Sequence, residues 1–189
     1  VGLAQEGQQI GHVLRCDQLL QVLRHHRDRR GRHLVDVLAE DRLLGAFFLA
    51  GYLPGEATIR GALVSFVDRA LDRDFSGYYP GRPRAGEGIR FLLPSPRDGS
   101  ACKRLNLYMR WMVRRDDGLD LGIWRSVHPR QLLIPVDTHV ARIACRIGLT
   151  ERRSPGWRMT EEITDSLRAL DPRDPVRYDF ALSRLGILD

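Results

Sequence analysis

The chain holds almost no lysine. Of its 30 basic residues, Lys103 is the one lysine and the other 29 are arginine. An arginine guanidinium stays charged and cannot serve as an amine nucleophile or a base, whereas a lysine amine can. Side-chain amine chemistry in this sequence therefore has a single address. Cysteine is also scarce. Cys16, Cys102 and Cys145 form no CxxC pair, and an odd count leaves no closed disulfide framework. They fall short of the four thiolates that hold an iron–sulfur cluster, so none is expected. His25, His26 and His33 stand at no zinc-binding spacing from any cysteine, and neither a metal site nor another cofactor is expected. No apolar run approaches the ~18 residues of a transmembrane helix, so no membrane partner is expected. The opening VGLAQEGQQ has no signal-peptide pattern, and a start without Met reads as trimmed or miscalled. A reducing cytoplasm is the expected setting.

What is present describes an ordinary globular protein of 189 residues, 43% hydrophobic and 29% charged. A chain of this size buries roughly 70% of its unfolded surface without staples. Net charge is +6, with a pI near 9.8. A domain pI above about 9 is a footprint of nucleic-acid binding. An acidic protein partner would suit the same charge.

The periodicity is helical throughout, and the expected class is all-α. Helices are predicted over 16–30, 34–53 and 56–71; in the last, Ile59, Leu63, Phe66, Val67 and Ala70 share one face. Glycine and proline then crowd residues 76–99. They read as a loop joining possible lobes 1–75 and 100–189 of a single domain, with 89–93 as a short extended piece. Ser100 is a suitable N-cap for a helix reaching Arg115. A long connection over 116–136 holds one short helix after Pro129. Three more helices follow: one capped by Asp137 or Thr138, one opening at Pro155, and one opening at Asp174-Pro175.

On the helix from 101 to 115, Leu105, Tyr108, Met109 and Met112 form the apolar stripe. Lys103, Asn106, Arg110 and Arg114 form a polar, basic face. Seven residues place Lys103 and Arg110 about 10.5 Å apart along one side. The helix N-terminus carries a partial positive charge that disfavours a further cation, as does Arg104 next door, which points to a free amine. The turn residues before it offer backbone N–H groups for a phosphate oxygen. Asp137, at the start of its own helix, is expected to stay ionised.

The run Pro135-Val136-Asp137-Thr138-His139-Val140-Ala141-Arg142-Ile143 resembles the signature of the helix-hairpin-helix DNA glycosylases, the superfamily of endonuclease III and the 8-oxoguanine glycosylases. The resemblance implies two helical lobes around a cleft. It makes Asp137 the catalytic carboxylate and Lys103, 34 residues upstream, the amine nucleophile. The Gly-rich hairpin of that superfamily is replaced here by Pro96-Arg97-Asp98-Gly99-Ser100-Ala101-Cys102-Lys103. The wide Lys–Asp separation is nearer to the archaeal 8-oxoguanine branch, with residues 116–134 as the insertion. Residues 91–187 are more closely similar to a bacterial family of unknown function, distantly related to these glycosylases.

The implied activity is base-excision repair: a glycosylase with lyase capability acting on double-stranded DNA at a damaged base, such as an oxidised purine, or at an abasic site. Asp137 would stabilise the oxocarbenium charge on the sugar and Lys103 would attack C1′. Ser100, Arg104, Arg110, Arg114, His139 and Arg142 are candidate DNA contacts, and Trp124 and Trp111 candidate stacking partners for an extruded base. The implied location is cytoplasmic, at the nucleoid. The alternative is a noncatalytic helical nucleic-acid-binding module, or a basic protein-interaction adaptor that keeps the fold.

Overall fold

The computed structural model describes residues 44–74, 87–115 and 120–188. The helix expected over 16–30, the first half of that over 34–53, and residues 76–86 of the 76–99 loop lie outside them. Among the described residues every regular element is helical and no strand occurs.

Helix α1 (Leu44–Leu49) buries Phe47 and Phe48 against α2 (Arg60–Leu71), which buries Ala62, Leu63, Phe66, Val67 and Ala70. The rings of Phe47 and Phe66 meet edge-on at 5.3 Å. Gly51 permits the close approach, since a Cβ there would stand 2.3 Å from Ser65 Oγ. Helix α2 starts at Arg60 rather than at residue 56. The reason is Gln131, a fully buried side chain. Its Nε2 donates to Glu56 O at 2.7 Å and Leu53 O at 3.3 Å, and its backbone O accepts from Ile59 N–H at 3.0 Å. Its Oε1 accepts from the Tyr52 hydroxyl. The carbonyls are thus bound by a distant side chain, and Ile59 N–H by that residue's backbone oxygen, where the expected helix would have used them for its own turns.

The piece expected to be extended near residue 89 is the short helix α3 (Glu87–Leu92). A 3-10 turn over Pro96–Asp98 leads to α4 (Lys103–Val113). The turn is tied to α2 by an Arg97–Asp68 ion pair at 2.7 Å. A second 3-10 turn, Pro129–Gln131, follows the long connection where the short helix was expected. Next comes the run Leu132, Leu133, Ile134, Pro135 and Val136, buried throughout and extended. It has no sheet partner to bind its backbone. Thr164 answers part of that need, with its hydroxyl accepting from Ile134 N–H at 3.1 Å.

Helix α5 (Thr138–Arg146) then packs closely against the last helix, α7 (Asp179–Leu188). Between them in sequence, α6 (Trp157–Leu170) buries Met159, Ile163 and Leu167, while Leu170 at its end is exposed. Asp174 does not cap the final helix through its side chain. It precedes a 3-10 turn, Pro175–Tyr178, and its carboxylate is bound to Arg114 instead.

Replacing Gln131 with Leu takes the side-chain partner from the Glu56 carbonyl and the Tyr52 hydroxyl, while Leu53 O keeps its bond from Glu56 N–H. A buried group stranded this way costs about 1–3 kcal/mol. The melting temperature should fall by roughly 4–8 °C, on a slope of about 2–4 °C per kcal/mol for a domain of this size. The exposed neighbour variant Arg130→Ala should shift it by less than about 1–2 °C. Equal melting curves for the two variants would refute the stapling role of Gln131.

Candidate functional site

Two segments of unusual backbone bring the lysine into place. Ser95 Oγ accepts from Arg97 N–H at 3.2 Å, and Gly99 turns the chain with φ 74°. Cys102 then takes φ 47°, a left-handed conformation uncommon for a residue with a side chain. Cys102, not Ser100, is the N-cap of α4. The Ser100 hydroxyl instead accepts from Cys102 N–H at 3.2 Å, so it helps to shape the turn. The Cys102 sulfur lies 3.3 Å from the carbonyls of Pro94 and Ser100. Burial, aided by the charge of Asp98 and opposed by the Ser100 contact, pushes this thiol up to about 11. It is a packing group and not a nucleophile. Lys103 is the first residue of the helix that follows.

Asp137 arrives from the other side, at the end of the buried run and the start of α5. Its Oδ1 accepts from Val140 N–H at 2.8 Å, the side-chain cap expected of it. Its Oδ2 accepts from Lys103 Nζ at 2.8 Å. The two side chains are 33% and 26% exposed, so the pair sits at the surface edge of the core. Burial alone would raise the Asp137 carboxyl. The hydrogen bonds from Lys103 and Val140, with charge from Lys103 and His139, outweigh it and hold the group below the usual aspartate value. Lys103 is therefore held as half of an ion pair rather than standing as the open amine expected from the helix end. Any attack by its nitrogen needs a proton moved off first, and Asp137 Oδ2 is an acceptor in reach.

The rest of the polar face of α4 turns inward. Asn106 is fully buried, its Nδ2 donating to Ala101 O at 3.0 Å. Arg110 is 5% exposed and pairs with Asp179 at 2.5 Å and with Asp120 at 3.4 Å. Arg114 pairs with Asp120 and, at 2.9 Å, with Asp174. Arg110 and Arg114, expected as DNA contacts, have their guanidiniums committed to carboxylates inside the fold. A phosphate could reach them only by displacing those partners. Asp179 was not anticipated. It sits at the start of α7, where an acidic residue reads as an ordinary helix-end charge. Its burial raises its carboxyl, against the pull of Arg110 and, further off, of Lys103; the charge of Asp137 adds to the rise. Asp179 thus lies within electrostatic reach of the Lys103–Asp137 pair.

The remaining candidates divide. His139 and Arg142 are exposed on α5, in the turns that follow Asp137. Arg104 is exposed, but its guanidinium is turned onto Phe91. Trp124 stacks on Phe48 at 5.6 Å and meets the edge of Tyr108 at 5.6 Å. A Cβ at Gly45 would stand 2.9 Å from its indole nitrogen, so the ring is wedged against α1. Trp111 is likewise packed on the core, and its carbonyl accepts from Leu121 N–H at 2.7 Å. Both tryptophans, expected as stacking partners for a base, are half-buried and packed against the core. Among the described residues no helix is long and apolar enough to cross a membrane. None of these residues forms a group of three or more His, Cys, Asp or Glu fit to hold a metal ion.

Two sets of variants check this account. Asp137→Asn keeps a capping oxygen and loses the ion pair, which at this exposure contributes about 0–1 kcal/mol. Asp137→Ala loses both and should cost about 1–2 kcal/mol. Because the folded carboxyl is held low, its stabilisation is present above the unfolded aspartate value of about 3.9 and is lost as pH falls through the lower folded value. Urea midpoints should therefore separate wild type from Asp137→Asn at pH 7 and draw together as pH falls below the lowered folded value. A gap that widens in acid contradicts the assignment. Arg110→Ala strands buried carboxylates and should cost about 3–5 kcal/mol, whereas Arg142→Ala should stay within about 0.5 kcal/mol. Similar midpoints for those two would show that Arg110 is no interior strut.

Neither a curated protein nor a solved structure matches this chain. One family model does, described as a protein of unknown function (DUF2400), and it matches residues 19–188. That span reaches well beyond the stretch 91–187 on which the sequence resemblance rested, and it takes in both α1 and α2. The match carries no activity with it. With 19–188 of its 189 residues inside the match, the chain belongs to the DUF2400 family.

Proposed function

We propose that this protein is a DNA glycosylase with lyase activity, acting at a damaged base through Lys103 and Asp137. One observation carries the reading: the lone lysine of an arginine-rich chain stands 2.8 Å from a half-buried, ionised, helix-capping aspartate. The pairing joins the two groups that the resemblance to helix-hairpin-helix glycosylases had named separately.

The chemistry balances with these two side chains and water. The bond from C1′ to the base breaks, and the base leaves with the bonding pair. The Asp137 carboxylate stabilises the positive charge that develops on the sugar. As Lys103 bonds to C1′ through its nitrogen lone pair, its proton passes through Asp137 to the departing base, which leaves the carboxylate ionised again. Opening of the sugar ring gives a protonated Schiff base. Loss of a proton from C2′ then expels the 3′ phosphate, and water releases the lysine. The long connection over 116–134 makes an oxidised purine the first substrate class to try.

A second reading has its own support. The same ion pair ties α4 to α5, and a basic chain could bind nucleic acid with Lys103 as a strut only. Borohydride trapping on a duplex with an abasic site separates the two. Wild type should form a covalent adduct. Lys103→Arg keeps the charge and the ion pair yet cannot form a Schiff base, so its adduct should vanish while the fold survives. Asp137→Asn should slow trapping by about 100-fold or more. Absence of an adduct with wild type, or an adduct that survives Lys103→Arg, overturns the catalytic proposal. Binding that weakens steeply with salt but yields no adduct would leave the noncatalytic reading.

A further inference from the structure

Phe91 is the most exposed large hydrophobic side chain among the described residues, at 71%. A lone exposed apolar residue is ordinary in itself. Phe91 differs because it is clamped. The Arg104 guanidinium lies 4.8 Å from the centre of its ring, and Arg104 Nη2 donates to Phe91 O at 2.6 Å. One arginine thus holds both the backbone and the ring of the same residue. The clamp presents a flat aromatic group to water, backed by a cation. Arg104 follows Lys103 directly on α4, so the platform is anchored to the helix turn that carries the proposed nucleophile.

We infer that Phe91, backed by Arg104, is a stacking platform for a nucleobase of a DNA strand bound beside Lys103. The inference rests on the nucleic-acid part of the reading above, and not on the lyase step. Three features fit this ligand class. Every base offers a π-face to an aromatic ring, and such stacking tolerates any sequence. The guanidinium on the ring is already part of a cation–π stack that a base can extend. The net charge of +6 draws the phosphates that accompany the base. Arg104, expected as a DNA contact, becomes a positioning residue for the ring.

Fluorescence anisotropy of the full chain with a labelled single-stranded oligodeoxythymidine of about 12 nucleotides tests the platform. Phe91→Ala and Phe91→Leu should each weaken binding by about tenfold, and Phe91→Tyr should stay near wild type. The loss should be the same factor at low and high salt, because stacking releases no counterions, whereas loss of a phosphate contact flattens the salt slope. Melting temperatures should not move, since the side chain is exposed. If wild type binds and all three variants bind within twofold of it, the platform is refuted while the DNA reading stands. If wild type binds no oligonucleotide but still traps on abasic duplex, the platform again falls alone. Failure of wild type in both assays overturns the two together.

Discussion

One carboxylate joins the two halves of the candidate site. Asp137 gives one oxygen to the first turn of α5 and the other to the first residue of α4. Neither oxygen can move without loosening a helix end, so the lysine and the aspartate are fixed relative to each other by helix geometry, not by loop sterics. The carboxylate is delivered by a fully buried extended run, Leu132 to Val136, that has nowhere else to go. That run is in turn held by Gln131 at one end and Thr164 near its middle. The position of Asp137 therefore depends on hydrogen bonds to residues far away in sequence, near 56 and 164.

Arginine does the structural electrostatics of this protein. Arg110 and Arg114 reach across the interior to Asp120, Asp174 and Asp179, and so tie α4 to the long connection and to the chain on either side of the last 3-10 turn. A guanidinium suits that work, because it is weakly hydrated and offers several donors in a fixed fork. Such a network is poor evidence of net stability, since taking charges out of water costs about what their attraction returns. Its effect is to make one arrangement of these elements far better than its neighbours, since any slip strands a charge.

Much of this was readable from residue order. The helices α4, α5 and α6 follow from apolar spacing, and Asp137 as a cap follows from its place between a buried run and an amphipathic segment. The boundaries that failed did so for tertiary reasons. Residues 56–59 lost their helix turn to Gln131, a partner 75 residues away from Glu56. Ser100 lost the cap to Cys102 because a left-handed residue, which no propensity scale favours at cysteine, turns the chain later than expected. The polar face of α4 was found correctly, but its partners were not. Periodicity says which side chains share a face and is silent on whether water or a carboxylate lies opposite. Arg110 and Asp179, 69 residues apart, have no local signal that links them.

That distinction sharpens the meaning of Lys103. If the contact with Asp137 were only a strut, a guanidinium would serve it at least as well, with more donors and no deprotonated state to lose. Arginine fills the corresponding role in the Arg97–Asp68, Arg110–Asp179, Arg114–Asp174 and Arg152–Glu162 pairs. At Asp137 the chain places instead the one cation that can give up its proton and attack carbon. The site is only partly exposed, and the capping aspartate stands in hydrogen-bond reach to receive that proton. The property that separates lysine from arginine in such a setting is nucleophilicity, not charge. That difference gives the proposed chemistry its weight over the purely structural reading of the same 2.8 Å contact.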